Sequence, residues 1–384
     1  MICCGSTALR LCGVERKGRR KVKIVDATTG AGGFGPRRGR SEHGAANGRP
    51  VPLKPAYGGI EGELYYGALD LGTNNCRLLI AVPAQTGFTV VDAFSRIVRL
   101  GEGLSHTGRL GEPAMLRTIE ALRVCANKLA WRKVGRTRLV ATEACRTAEN
   151  GAQFIRRVQE ETGLVLEIID RETEAHLAAT GAEPLIEQGA DTTMIFDIGG
   201  GSTELMWIVR HGNTYRVAAW TSLAAGVVTL SERFGGVLVS PQIFAAMRDH
   251  LRPMLKGFVD QVKAANGGNG MPDHLLGTSG TVTTIAGVQL GLKRYDRSRV
   301  DGCWLESDAI GDVTAKLLAM DYAARSENPC IGRERADLVL AGCAILEEIR
   351  LAFPTPRIRV ADRGLREGML TLLMREDNAH GIVA

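Results

Sequence analysis

The sequence predicts an α/β protein built of mixed sheets in two similarly constructed halves. Three observations carry this. A short apolar strand ending in Asp and a glycine turn occurs twice, as LYYGALDLG at 64–72 and TTMIFDIGGG at 192–201. Each copy is followed by two further strand-like runs. Helix-period segments then alternate with single strands, an order that suits sheets packed under helices rather than a plain alternating βαβ barrel.

Ordered structure is expected from about Leu64. The runs CRLLIAVP at 76–83 and FTVVDAFSRIVRL at 88–100 are β-rich and joined by turn residues 85–87, so the first half opens as a three-stranded meander. Over 112–133, Met115, Ile119, Leu122, Ala126 and Leu129 step by three and four, which defines one face of a helix. TRLVAT at 137–142 returns to strand. Asn150 is placed to cap a helix carrying Phe154, Ile155 and Val158. LEII at 166–169 reads as strand and 172–187 as helix. The second half repeats the opening with ELMWIVR and TYRVAAW. Helices follow at 226–234, 241–265, 280–290, 307–320 and 333–350, then a strand IRVAD at 358–362 and a last helix GLREGMLTLLM. The expected organisation is a disordered basic leader at 1–62, a first domain at 63–189, a second at 190–355, and a strand and helix at 356–378 that return to the first.

The net charge of +6 belongs to the leader. Residues 1–60 carry 12 basic and 3 acidic side chains, whereas the remainder carries 36 basic and 39 acidic, so the body is mildly acidic. RKGRRKVK at 16–23 has the charge to meet a nucleic acid or a membrane surface, but Gly and Arg without hydrophobic period read as a disordered leader. No apolar segment follows these charges, so they do not form a secretory signal. No apolar run reaches the roughly 18 residues of a membrane span. The nine cysteines lack CxxC and zinc spacing, and read as reduced thiols of a cytoplasmic protein.

The chemistry lies in the glycine turns. Asp70-Leu-Gly72-Thr73-Asn74 and Asp197-Ile-Gly199-Gly200-Gly201-Ser202-Thr203 each follow a hydrophobic strand. Such turns aim backbone N–H groups into one concavity, and hydroxyls add donors, a combination that suits phosphate oxygens. An Asp beside a phosphate is repulsive unless a divalent cation such as Mg²⁺ stands between them. A third turn, Gly277-Thr278-Ser279-Gly280-Thr281, also follows a strand and opens a helix, whose N-terminus favours an anion. There is no P-loop, and no dinucleotide GxGxxG turn stands in a suitable place, after a strand and before a helix.

Two such turns and a third glycine stretch resemble the actin/Hsp70/sugar-kinase superfamily, which implies two ribonuclease-H-like domains around a cleft. The segment ATEACRTAENGAQFIRRVQEETGLVLEIIDRETEAHLAATG at 141–181 sharpens the resemblance to the Ppx/GppA exopolyphosphatase and guanosine pentaphosphatase family, short form. DLGTNNCRLLI, DIGGGSTEL, SLAAGVVTLSERF, GTSGTVTTIAG, ERADLVLAGCAIL and VADRGLREGML extend it in order over 66–372. The resemblance implies Glu174 as the general base and Arg146, with Thr142 and Asn150, as part of the catalytic segment. It implies Asp197 and Glu204 as the acidic pair associated with Mg²⁺. One of the family's paired acids before Glu174 is here Thr173, so the local turn is open to difference. Taken alone, Arg146 and Glu174 read as a surface ion pair; within the motif, Glu174 activates water and Arg146 holds phosphoryl oxygens bidentately.

The implied substrate is inorganic polyphosphate, cleaved at its terminal anhydride, or guanosine pentaphosphate, with no specific nucleic acid and no membrane as partner; a homodimer is compatible. A polyanion needs basic stripes on an acidic body. Arg248, Arg252 and Lys256 repeat at i+4 on one helix, and Lys293 and Arg294, with Arg297 and Arg299, follow the third turn. Pro253 is placed to kink that helix. A sugar-kinase-like phosphotransferase and a nucleotide-sensing module are the rival readings. Cys145, beside Arg146, has no partner base, and His176 reads as a helix-surface neighbour of Glu174.

Overall fold

A computed structural model describes residues 64–212, 214–268 and 270–379. The basic leader lies outside the described residues. In the first half, strands β1 (Tyr66–Leu71), β2 (Asn75–Pro83) and β3 (Phe88–Ile97) form the expected meander. They are followed by the short α1 (Leu104–Thr107), α2 (Glu112–Trp131), β4 (Arg136–Ala141), α3 (Glu143–Thr147), α4 (Gly151–Thr162), β5 (Glu167–Ile168) and α5 (Arg171–Ala182). The second half opens with β6 (Thr192–Ile198), β7 (Thr203–His211) and β8 (Thr214–Leu223). Next come α6 (Val227–Phe234), α7 (Pro241–Ala265), β9 (His274–Thr278) and α8 (Gly280–Gln289). The chain continues through α9 (Arg297–Val300), β10 (Trp304–Glu306), α10 (Ser307–Ala319), α11 (Tyr322–Glu327), α12 (Val339–Ala352), β11 (Arg357–Ala361) and α13 (Leu365–Ala379).

The two sheets share one plan. The first runs β3-β2-β1-β4-β5 and the second β8-β7-β6-β9-β11-β10. In each, the hairpin strands are antiparallel and the next two join in parallel. The repeat extends to a register slip, which falls between Ile80 and Ala81 in the first sheet and between Trp207 and Ile208 in the second. These positions stand at the same distance beyond Asp70 and Asp197. Two ribonuclease-H-like domains with mixed sheets flanked by helices result, the actin-like architecture.

Burial of apolar side chains fixes the layers. On the outer side of the first sheet, Ile119, Leu122, Phe154 and Val158 from α2 and α4 pack on Leu69, Leu71, Leu78 and Ile80. A larger outer core covers the second sheet with α7, α8, α10 and α12. Burying one such side chain contributes about 1.5–3 kcal/mol. The inner layer is α5 and α13. Leu365, Met369, Leu370 and Leu373 of α13 pack on the first sheet with Leu177, while Ala175, Ala178, Ala179 and Ala182 of α5 pack on Ile195, Met206, Ile208 and Leu276 of the second. The helices meet where both lack side chains. A Cβ on Gly181 would stand 1.9 Å from the carbonyl oxygen of Gly364, and one on Gly368 would stand 2.0 Å from that of Leu177.

Several expectations need correction. The strand at 357–361 does not return to the first half. It pairs with β9 and β10, and Ile358 and Val360 are buried in the second core; only α13 crosses over. The helix expected at 333–350 begins at Val339, because residues 333–338 form turns. The helix expected at 172–187 ends at Ala182 and passes into a short 3₁₀ turn, Glu183–Leu185, containing Pro184. Asn150 stands at the N-cap of α4, but its side chain makes no cap bond; it bridges the N–H (2.8 Å) and C=O (3.0 Å) of Leu110 instead. Pro253 does not interrupt α7, which continues to Ala265 with Leu251 and Leu255 buried on either side of it. Among the described residues no helix is long and apolar enough to cross a membrane.

Replacing Gly368 by Ala is expected to lower the urea midpoint by the equivalent of about 3 kcal/mol, the upper part of the range for overpacking, because the new methyl meets backbone. Gly257→Ala in α7, with nothing within 4 Å of its added carbon, is expected to be neutral or stabilising by up to about 1 kcal/mol. Urea denaturation followed by circular dichroism measures both.

Candidate active site

The glycine turns at the ends of β1 and β6 fold in the same way. Gly72 N–H donates to the Asn75 carbonyl at 2.9 Å, and Gly199 N–H to that of Ser202 at 2.9 Å. Each bond closes a turn whose middle amides, at Thr73 and Asn74 and at Gly200 and Gly201, donate no hydrogen bond within the described residues. The two turns touch. A Cβ on Gly201 would lie 2.7 Å from Thr73 Oγ1, and one on Gly200 3.0 Å from Thr73 Cβ. Only a turn without side chains comes this close to its counterpart.

The third turn completes the enclosure. Ser279 has φ 146°, a left-handed conformation rare for a residue with a side chain. Its Oγ accepts from Thr281 N–H and Val282 N–H, each at 3.2 Å, which caps α8. The N-terminus of that helix thereby points into the same cavity, of about 130 Å³, as the first two turns. Asn74 Oδ1 and Asn75 Oδ1 are buried there without a partner. Unsatisfied buried polar atoms beside free amides mark a place built for a polar ligand.

Glu174 reaches this cavity from the first turn of α5. Asp170 caps the helix by accepting from Thr173 N–H at 2.7 Å, so Thr173, in place of an acid, leaves a regular helix start. Burial raises the Glu174 carboxyl well above the usual range, and repulsion from Glu204 adds to it, against the pull of Arg146. Arg146 does not line the cavity. Its guanidinium donates to Glu174 Oε2 (2.9 Å), to Glu143 Oε2 (2.6 Å from Nη2) and to the Ile169 carbonyl (2.6 Å). It therefore orients the candidate base from behind, and the bidentate phosphoryl hold expected of it is not available in this arrangement. Glu143, a buried acid of the cavity wall, is shared with Arg171 at 2.7 Å. Burial lifts its carboxyl, but hydrogen bonds from Arg171 and Arg146 outweigh that and hold it below the ordinary range.

The acidic residues of the turns differ from Glu143 in having no cation bonded to them. Burial pushes Asp70 up, opposed by Arg77. Burial, then the Glu204 charge, pushes Asp197 up to about 7. Glu204 is raised by burial, although Ser202 Oγ (2.7 Å) and Ser222 Oγ (2.9 Å) donate to it. Among the described residues no group of three or more His, Cys, Asp or Glu is arranged to ligate a metal directly. Two uncompensated carboxylates on touching turns do fit a Mg²⁺ bound mainly through water, the usual mode of that ion. Asp70 stands in the same cavity as the expected pair Asp197 and Glu204 and is placed to hold the ion with them.

Other expected contacts fall elsewhere. Thr203 is buried and donates to the Ala225 carbonyl at 2.6 Å. Gly277 lies within β9, where a Cβ would stand 2.5 Å from the Phe196 ring, so it is a packing glycine. Ser202, Ser279, Gly280 and Thr281 line the cavity, and Thr278 lines a wider groove that continues from it. The stripe on α7 is consumed locally. Arg248 and Arg252 pair with Glu348 at 2.7 and 3.3 Å, and Lys256 with Asp260 at 2.6 Å. Lys293 and Arg294 are exposed and line neither space. Cys145 is buried, with its thiol pushed up to about 12 by burial, which leaves it protonated.

Arg77 and Arg335 line the cavity, and Arg366 lines the groove that continues from it. The sequence carries a signal for the first: Arg77 pairs with Asp70 across the first hairpin as Glu204 pairs with Asp197 across the second. One duplicated position thus holds a cation in one domain and an anion in the other. Burial holds both Arg335 and Arg366 below the usual guanidinium range, and the Arg77 charge adds to this in each.

Two actin-like domains that close glycine turns around a buried set of carboxylates and arginines define a phosphate-handling enzyme of that superfamily. The model of the Ppx/GppA phosphatase family matches residues 79–376, and the chain belongs to that family. It is accordingly a hydrolase acting on phosphorus-containing anhydrides. Exopolyphosphatase 2 of Mycobacterium tuberculosis is 28% identical over 296 residues, which cover 73% of this chain and 88% of that protein. The crystal structure of the Aquifex aeolicus family member superposes with a TM-score of 0.68 at 28% identity, over 82% of this chain and 99% of that one. That of an exopolyphosphatase from Cytophaga hutchinsonii gives a TM-score of 0.73 at 24% identity, over 81% and 98% of the two chains, and shares the fold.

The raised carboxyls set a pH dependence. An acid whose folded pKa lies above its unfolded value holds its proton more tightly in the native state, so the fold loses stability as pH rises from the unfolded range near 4 to the folded value, about 7 for Asp197. The loss is on the order of a few kcal/mol for the site. Metal-free protein is therefore expected to melt lower at pH 8 than at pH 5. Added Mg²⁺ is expected to raise the Tm more at pH 8, and Asp197→Asn to raise the metal-free Tm and remove the Mg²⁺ increment. Calorimetry at the two pH values, with and without Mg²⁺, checks this.

Proposed function

We propose that the protein is an exopolyphosphatase that removes orthophosphate from the end of inorganic polyphosphate. The observation that carries this reading is the groove that continues from the catalytic cavity. It encloses about 770 Å³ and has arginines along its length. Arg297 and Arg363 are engaged by Glu367 and Asp301. Arg77, Arg335 and Arg366 at the inner end, and Arg96 and Arg333 further out, have no ion pair among the described residues. A row of unpaired guanidiniums on an otherwise acidic body suits a ligand with one negative charge per repeating unit. The groove has little to hold a purine: Arg96 lies over the Phe94 ring at 5.4 Å, and the Tyr295 hydroxyl is bonded to Asp362 at 2.7 Å. The name of the Mycobacterium tuberculosis relative supports the same substrate.

In this reading the terminal phosphoryl group sits among the free amides of Thr73, Asn74, Gly200 and Gly201 and the N-terminus of α8. Water attacks phosphorus in line with the bridging oxygen. The new P–O bond forms as the P–O bond to the rest of the chain breaks, and Glu174 accepts the proton that water releases. Glu143 and Arg146 keep that carboxylate in position. Arg77, Arg335 and Arg366 meet the charge that the departing chain carries away. A Mg²⁺ held through water by Asp70, Asp197 and Glu204 would supply further charge neutralisation when bound. The enzyme works on a soluble polyanion in the cytoplasm.

Glu174→Gln is expected to lower kcat by about 10²–10⁴-fold with KM little changed, whereas Arg366→Gln is expected to act mainly on KM for polyphosphate. Phosphate release from long-chain polyphosphate and from guanosine pentaphosphate, measured side by side, tests the assignment. Faster turnover of the nucleotide would transfer the same chemistry to that substrate.

A further inference from the structure

Besides the α5–α13 crossing, polar groups join the two domains a second time. The segment after β3 is fastened to the first glycine turn: Val98 N–H and Arg99 N–H donate to the Asn74 carbonyl at 2.9 and 3.0 Å, and Gly101 N–H donates to that of Thr73 at 2.9 Å. Arg99 holds a left-handed φ of 47° within this segment. From there its guanidinium crosses to the other domain and grips Asp337 with both ends, at 2.8 and 2.9 Å, and the Glu334 carbonyl at 3.1 Å. Four residues later Glu232 of α6 accepts from Gly103 N–H at 2.7 Å and from the Ser105 hydroxyl.

Both recipients are wired back to the catalytic elements of their own domain. The start of α6 is bonded to the second glycine turn, Val227 N–H to the Gly199 carbonyl at 3.0 Å and Val228 N–H to that of Gly200 at 2.8 Å. Ser231 Oγ donates to the Asp337 carbonyl at 3.0 Å, which ties α6 to the turn that carries Arg335. A closed circuit results: first turn, Arg99 segment, Asp337 and Glu232, α6, second turn. These part-buried and exposed polar bonds thus brace the spacing of the two touching phosphate turns and the place of Arg335. Arg99 itself does not line the catalytic cavity.

We infer that Arg99, through Asp337 and with Glu232, is a positioning latch that keeps the two phosphate turns and Arg335 in reactive alignment. The inference rests on the proposed anhydride hydrolysis for its kinetic arm only. When the latch is lost, the domains still meet at the α5–α13 crossing but the turns no longer hold one distance. A shift of about 1 Å between reacting groups is enough to lower a rate by about a hundredfold.

The test compares Arg99→Gln, Asp337→Asn, the double variant and Arg99→Lys in the full chain, with Glu232→Gln as a milder lesion. Hydrogen exchange read by mass spectrometry needs no substrate. Faster exchange is expected in peptides spanning 72–76, 98–105 and 227–235, with α2 and α12 unchanged. Phosphate release, from whichever of polyphosphate or the pentaphosphate nucleotide the wild type turns over, is expected to fall about tenfold or more in kcat with a smaller change in KM. The double variant should be no worse than Arg99→Gln, and Arg99→Lys should recover part of the loss. Unchanged exchange in the three peptides would overturn the latch. Faster exchange with wild-type kcat would overturn its positioning role, and additive losses in the double variant would overturn the pairing. Neither arm depends on polyphosphate being the substrate, so failure of that assignment remains separate.

Discussion

The arrangement of the site depends on the contact of α5 and α13 through Gly181 and Gly368. Each helix covers the inner face of a different sheet, and backbone-to-backbone approach is what brings those faces near enough for the turns at the ends of β1 and β6 to touch. A single methyl at either glycine would thicken the layer between the domains. The alanines of α5 serve the same end on its other side, where small side chains let the second sheet lie close. Glu174 immediately precedes Ala175, the first residue of this alanine face, so the packing that joins the domains also sets how far the candidate base projects into the cleft.

Inside the cleft the charges are arranged against their own preferences. Asp70, Asp197, Glu174 and Glu204 are held in a region that disfavours their ionised forms, while Arg335 and Arg366 are disfavoured as cations. Each set lacks enough of the other nearby. Such a site gains by admitting a cation among the carboxylates and an anion among the guanidiniums together, which is what a metal-bound polyanion supplies. The duplication makes the division of labour visible. One hairpin position is Arg77 in the first domain and Glu204 in the second, so two copies of one plan face each other with opposite charge across a shared ligand space.

Much of this was legible in the sequence because it is local. Strands ending in Asp and glycine turns are short-range patterns, and their repetition pointed to a duplicated fold before any contact was known. The family motifs named Glu174, which lies in the cavity. Part of what was misread depended on partners far along the chain. The stripe of Arg248 and Arg252 looked free until Glu348, about a hundred residues away, closed on it. Arg146 looked like a ligand contact, but Glu143 and the Ile169 carbonyl hold it behind the base. Arg335 and Arg366 lie in segments quoted for their resemblance, yet nothing in residue spacing says that the turn at 333–338 and the start of α13 open on one groove. Gly277 and Thr203 were read by residue type, and their burial is a tertiary fact.

The crossing of the chain between domains at its end bears on how the molecule is made. The inner face of the first sheet is covered by α13, and Tyr66 on β1 donates to Asp377 at 2.9 Å, a bond that spans 311 positions of sequence. During synthesis the leading half emerges with its strands and outer helices in hand but one apolar surface bare. That surface stays uncovered until α13 has been made, after the whole of the second domain, which receives its last parallel strand, β11, immediately before it. Neither domain is an autonomous folding unit in the order of translation, and the nascent first sheet is the part of this molecule most in need of shielding by a chaperone.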